Sequence, residues 1–211
     1  MKRIFMMLLL ALCLGSVSAQ QAQPTNQVAD AAKKENNKAF LEDHFKQSYD
    51  ALERSVAGLT PEQLSFKPAA DRWSISQCLE HIVITERMLF AEAKKGLESP
   101  ESPNRRKEVK ITDEEVLKAI RDRSHKAQAP EALAPKGKYT DPKQALQELE
   151  GDRKAIMAYL NTRPLEDLRN HITDTFFGPT DSFHSFLYIA GHTGRHTLQI
   201  DEVKADPRFP K

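Results

Sequence analysis

Leu41, Phe45, Tyr49, Leu52, Val56 and Leu59 recur at steps of three and four, the spacing that lines up apolar side chains on one face of a helix. The pattern predicts a first long amphipathic helix that ends near Gly58. Thr60-Pro61-Glu62-Gln63 is a capping box with proline at the first helical position, so a short helical turn follows. Ser74-Ile75-Ser76-Gln77 is a second box, with Ser74 at the N-cap, Gln77 at the third helical position, and Trp73 and Cys78 placed as a hydrophobic staple. A second long helix therefore starts at about Ile75 and runs through Ile82, Met88 and Leu89 towards Gly96. Thr112-Asp113-Glu114-Glu115 caps a shorter helix, and residues 127–139, with Pro130, Pro135 and Gly137, read as a connecting loop.

Asp141-Pro142-Lys143-Gln144 opens a third long helix whose stripe is Leu146, Leu149, Ile156, Tyr159 and Leu160, with Pro164 beyond its end. A break at Gly178-Pro179 precedes Asp181, the N-cap of a last long helix that Pro207 ends. That helix carries Ile189, Ile200 and Val203 on one side and Phe183, Leu187, Ala190 and Leu198 on the other, so it is expected to be buried on both sides. No stretch reads as a β-sheet; residues 82–85 are β-branched but lie inside a capped helix. The expectation is an all-α chain, a four-helix bundle with short connecting helices and no internal repeat.

The first residues belong to a targeting segment rather than to the bundle. Lys2 and Arg3 precede an apolar run over residues 4–14, and Val17-Ser18-Ala19 supplies the small side chains of a signal-peptidase site. Cys13 raises a lipoprotein alternative, but Leu12 before it is a poor fit to lipid attachment. The reading is a signal peptide over residues 1–19, a Gln/Asn/Ala-rich leader over 20–33, one domain over 34–206 and a tail over 207–211. The product would be an exported soluble protein, periplasmic or secreted, and the apolar run is too short for a stable membrane span. Cleavage leaves 192 of the 211 residues, enough for one proper core, and loss of Lys2 and Arg3 takes the formal charge from +1 to −1. A near-neutral chain without a basic face argues against nucleic acid as a partner. Cys78, the one cysteine left, is expected to be a small buried hydrophobe.

Chemistry concentrates in three histidines. His192 and His196 stand four apart on the last helix, on one side and separated by a rise of about 6 Å, so two imidazoles can share one ion. His81, in the second turn of the second long helix, is the best third ligand if the two helices are neighbours. The competing reading is a pair of half-buried histidines bonded to ordinary acceptors. Three neutral imidazoles suit a divalent ion such as zinc, nickel or iron and leave a position open. Gly191 and Gly194 flank His192, which indicates either close helix packing or space for a ligand.

Trp73-Ser74-Ile75 with His81, followed by Gly191-His192-Thr193-Gly194-Arg195-His196-Thr197-Leu198-Gln199-Ile200, resembles the DinB-like family of four-helix-bundle metal proteins, over about residues 40–203. The resemblance implies a divalent metal on His81, His192 and His196, and a possible homodimer. Some relatives are thiol-dependent transferases and others metal-dependent hydrolases, so the implied function is a hydrolase or transferase acting on a small molecule. Export weakens the transferase inference, because the reduced thiols such enzymes use are cytosolic. The alternative is a bundle that binds metal, or a protein partner, without catalysis. Thr85 and Tyr188, one turn from His81 and His192, either line the pocket or pack ordinarily; Glu86 and Glu202 are the nearest acid/base candidates unless they face solvent. His44 is either an outer group of the site or a surface residue. His184 lies too far along the helix to share the ion, and His125 and His171 are expected in solvated loops.

Overall fold

The computed structural model describes residues 37–125 and 128–211, so the expected signal peptide and leader lie outside the described residues. The elements are α1 (Lys38–Val56), α2 (Pro61–Ser65), α3 (Ile75–Glu98), α4 (Asp113–Arg121), α5 (Pro142–Asn161), α6 (Leu165–Asn170), β1 (Ile172–Thr175), β2 (Gly178–Asp181) and α7 (Ser182–Lys204), with 3-10 turns at Pro103–Glu108 and Glu131–Leu133. Four of the helices are long, α1, α3, α5 and α7, as the periodicity predicts. No helix among the described residues is long and apolar enough to cross a membrane.

The helices begin where the capping chemistry places them. Ser74 Oγ accepts from the backbone N–H of Gln77 at 3.2 Å while Gln77 Oε1 accepts from the N–H of Ser74 at 3.0 Å, and Thr60 and Thr112 make the same reciprocal box with Gln63 and Glu115. Asp181 Oδ1 accepts from His184 N at 2.9 Å and starts α7. Each box satisfies two backbone donors that a helix start would otherwise leave unpaired.

Helix α7 is the central element, packed by α1, α3 and α4, while α5 packs on α3. Two clusters of buried side chains run along it. One joins Phe45, Ile120, Ile156, Phe183 and Phe186, and the other joins Leu52, Ile75, Leu79, Ile82, Leu149 and Ile200. The expected second apolar strip of α7 stops short: Phe183, Leu187 and Ala190 are buried, but Leu198 is 45% exposed. Gly191 and Gly194 serve close packing by α4. A Cβ at Gly191 would meet Ile120 at 3.2 Å, and one at Gly194 would meet Arg121 Nε at 3.0 Å.

One expectation fails outright. Residues 172–181 form an antiparallel hairpin, with Ile172 opposite Asp181 and Thr175 opposite Gly178. Strands of four residues whose first is exposed at three positions have too little apolar alternation to be recognised. The hairpin is held from outside its own sequence, by Ser182 N donating to His171 O at 3.0 Å and by Arg105 pairing with Asp174 at 2.7 Å.

Cys78 is fully buried, and burial pushes its thiol up to about 12. A thiolate is the reactive form, so Cys78 is expected to resist a thiol-specific disulfide reagent at pH 8 in the folded protein and to react fully in guanidinium. Rapid labelling of the native state at this residue would show that α3 is loosely packed.

Candidate metal centre

The three sequence-selected histidines come together. His81 is set by α3 and the pair by α7, and the ring centroids of His81 lie 5.1 Å from His192 and 4.6 Å from His196. The ligand nitrogens of all three fall within 4.8 Å of one another, and all three side chains are buried. His192 Nε2 and His196 Nε2 face each other at 3.1 Å.

The outer partners decide which nitrogens point inward. His81 Nδ1 lies 3.0 Å from Leu133 O, and a carbonyl can only accept, so Nδ1 carries the proton and Nε2 keeps its lone pair. His196 Nδ1 lies 2.8 Å from Gln199 Oε1, an oxygen that also accepts from Arg123 Nη1 at 3.4 Å. Two donors on one amide oxygen fix the amide orientation, and His196 too presents a bare Nε2. Burial holds His192 down to about 3, with the charges of His81 and Arg195 adding to it, and places His196 well below the ordinary imidazole range. Burial also lowers His81, against the opposing Leu133 hydrogen bond. Neutral imidazoles whose ring nitrogens crowd one point, with the lone pair of Nε2 free on His81 and His196, are what a divalent ion requires, so the donor set fits the implied metal.

Leu133 reaches His81 because the loop before α5 is pinned along α3. Glu80 Oε2 accepts from the backbone N–H groups of Lys136, Gly137 and Lys138 at 2.8, 2.6 and 3.1 Å. Ser76 Oγ donates to Tyr139 O at 2.6 Å, and Gln77 Nε2 donates to Pro135 O at 3.1 Å. Gly137 takes φ +86° at this crossing, and a Cβ there would press on Gln77 at 3.3 Å. On the other side Arg195 donates to the carbonyls of Ile120 and His125 at 3.2 and 2.9 Å and also to that of Asp122. The segment read as a plain connection is thus part of the site.

Trp73 and Tyr188 wall the centre. The Trp73 ring lies 4.8 Å from His81 and stacks on His196 at 6.0 Å, and Tyr188 stacks on His192 at 6.3 Å. Thr85 Oγ1 is 3.3 Å from His81 Nδ1. Of the acid/base candidates, Glu86 does not face solvent: it is 1% exposed and bound by Arg153, with Nε–Oε1 at 3.0 Å and Nη2–Oε2 at 3.1 Å. Thr193 Oγ1 joins them, 3.1 Å from Glu86 Oε2 and 3.0 Å from Arg153 Nη2. This network ties α3, α5 and α7 together immediately behind the histidines. Glu202 is taken up by Arg123 at 2.6 and 2.8 Å. Neither carboxylate joins the histidine cluster.

The other histidines sort by packing. His44 is half-buried and packs edge-on against Phe40 at 4.4 Å. His125 is exposed, as expected. His171 is not solvated: it is 4% exposed and sits 3.2 Å from Asp167. His184 stays apart from the triad, as its spacing requires. It is buried between Asp113 and Asp181, at 2.9 and 3.3 Å, neither nitrogen being aligned for a hydrogen bond, beside the Arg169 pairs to the same two carboxylates.

Gln199 was visible only as part of the family motif, although its position three residues after His196 is helical spacing. Orienting partners of metal-bound histidines are worth about 10- to 100-fold in affinity. Gln199→Leu is therefore expected to weaken metal binding by about that factor with the fold retained, as read by competition against a chelator. Unchanged affinity would mean that the His196 tautomer is set elsewhere.

A helical bundle with buried histidines converging from two helices defines the class, and the DinB superfamily matches residues 44–200: the chain belongs to that superfamily. YuaE of Bacillus subtilis (strain 168), an uncharacterized protein, is 28% identical over 153 residues, covering 71% of this chain and 88% of YuaE. YfiT from Bacillus subtilis, a probable metal-dependent hydrolase with an unusual four-helix bundle topology, matches in structure with a TM-score of 0.54 at 16% identity, over 79% of this chain and 85% of YfiT. The likeness to YfiT is one of fold.

Proposed function

We propose that His81, His192 and His196 hold one divalent ion, zinc, nickel or iron, and that the protein is a metal-dependent hydrolase of a small molecule. The observation that carries this reading is the pair of outward-bonded Nδ1 atoms on His81 and His196, which leaves two bare Nε2 atoms aimed at the same point as His192. YfiT, a probable metal-dependent hydrolase on the same fold, supports hydrolysis over thiol transfer. The bound ion would supply Lewis acidity, the capacity to acidify water and polarise a carbonyl. The chain contributes neutral ligands behind an aromatic wall. Trp73 and Tyr188 shield two sides of the cluster, Thr85 offers a hydroxyl at the rim of His81, and among the described residues no carboxylate joins the three imidazoles. Neutral ligands leave the charge of the ion undiminished, which strengthens its hold on an oxygen of the substrate.

The test is metal analysis of protein purified without added metal or a histidine tag, followed by a panel of small esters, amides and phosphoesters. About one ion per chain is expected, with hydrolysis lost on chelation and restored by metal. Trp73, the single tryptophan, gives an independent readout, because cobalt at the histidines should quench it with one-to-one stoichiometry. Activity that survives complete metal removal would sink the proposal. We also propose export with cleavage after Ala19; a mature chain beginning at Gln20 in the native host, found by mass spectrometry, is the expected result, and an unprocessed Met1 or a lipid on Cys13 would contradict it.

A further inference from the structure

We propose that the tip of the β1–β2 hairpin forms, with Tyr188, an aromatic platform that binds a flat apolar group of the substrate beside the histidine centre. This rests on the hydrolase reading and narrows its substrate class to small molecules carrying an aromatic or similar planar group next to the bond that is cut.

Phe176 is 79% exposed, far more than the other exposed large apolar side chains among the described residues, Leu198 at 45% and Met88 at 37%. It occupies a two-residue turn, where glycine, asparagine or aspartate is usual and a phenyl ring left mostly in water gains little from the fold. An exposed aromatic side chain of this size marks a binding surface when it continues into a site. Here it does. The Phe176 ring lies 3.9 Å from Phe177 and edge-on to Tyr188 at 6.5 Å, and Tyr188 in turn stacks on His192 at 6.3 Å with the planes 18° apart. The row leads from the surface to a proposed metal ligand in two ring-to-ring steps.

The tip is also held in place. Gly178, at φ +86°, begins the return strand; Asp174 is paired with Arg105, and Asp181, at the end of β2, caps α7. The hairpin thus fixes Phe176 relative to the helix that carries His192 and His196. A molecule whose reacting group sits at the imidazoles would lay its adjoining portion along Tyr188 and Phe176, where offset or edge-to-face ring packing adds affinity beyond area alone. A second copy of the chain is the other occupant such a ring suits, and the test separates the two.

Full-length metal-loaded protein is titrated calorimetrically with acetohydroxamate and benzohydroxamate, which share a metal-binding head and differ in the flat group. Benzohydroxamate is expected to bind about 10-fold more tightly, and Phe176→Ala should erase most of that difference while leaving acetohydroxamate affinity and metal content unchanged. Equal affinities in the wild type, or a preference that survives Phe176→Ala, would overturn the platform. Conversion of a dimer to a monomer by Phe176→Ala in sedimentation would also overturn it, in favour of an interface between copies. Metal-free protein titrated with zinc and, separately, with methyl 2-naphthoate separates the two proposals. Shifts of the Phe176 and Tyr188 ring resonances without any metal uptake would sink the hydrolase reading alone, and metal uptake without those shifts would sink the platform alone.

Discussion

His192→Ala is expected to lower affinity for the divalent ion by at least about 1000-fold, because it removes one of the three proposed ligands where an outer partner alone is worth about 10- to 100-fold. Equilibrium competition with a chelator measures the loss, and the disappearance of cobalt quenching at Trp73 confirms it in the same sample. His81→Ala should behave alike, which tests the pairing of α3 with α7 rather than the spacing on α7. His125→Ala, at an exposed position, is the neutral control. His184→Ala is a poor control, since it removes an imidazole buried between Asp113 and Asp181 and should cost stability while the ion stays bound. Retention of the ion by His192→Ala, or equal loss in His125→Ala, would remove the three-histidine assignment.

Arg153→Met is expected to destabilise the fold by about 3–5 kcal/mol, the usual cost of leaving a buried charge without its partner. Glu86 is 1% exposed and loses both guanidinium contacts, and the carbonyl of Phe45 loses a donor as well. For a domain of this size the midpoint of thermal unfolding should fall by roughly 10 °C. The double variant Glu86→Leu, Arg153→Met should recover much of the loss, because it removes the stranded carboxylate together with its partner. A small effect of Arg153→Met alone would mean that Glu86 is protonated in the fold, the direction in which burial pushes it despite Arg153. Because Thr193 adjoins His192, the single variant should also weaken metal binding well below its unfolding midpoint, through the relative placement of α3 and α7.

The long helices, and the starting points of three of them, were legible because each depends on groups within one turn. Ser74 finds Gln77 three residues on, Asp181 finds His184, and His192 finds His196 at the rise of a single turn. Such pairs form in any context that allows a helix, so their spacing is sufficient evidence. The position of His81 in the second turn of its helix made it the best third ligand, the family motif agreed, and that motif alone included Gln199 without saying why.

What the chain alone determined is therefore local: four amphipathic helices, three of them with a recognisable start, a pair of histidines on one face, and Cys78 and Phe183 turned inward. Only the tertiary structure decided what crosses between elements. His81 meets the carbonyl of Leu133 across 52 residues, and Glu86 meets Thr193 across 107. Glu86, an acid/base candidate by position, became part of a buried ion pair because Arg153 arrives from α5. His171 and His184 became buried because carboxylates from neighbouring elements surround them. The hairpin that carries Phe176 has almost no apolar alternation and is held by Arg105 and the start of α7. Polar side chains and short strands take their environment from whatever packs against them, and helical periodicity carries no record of that partner.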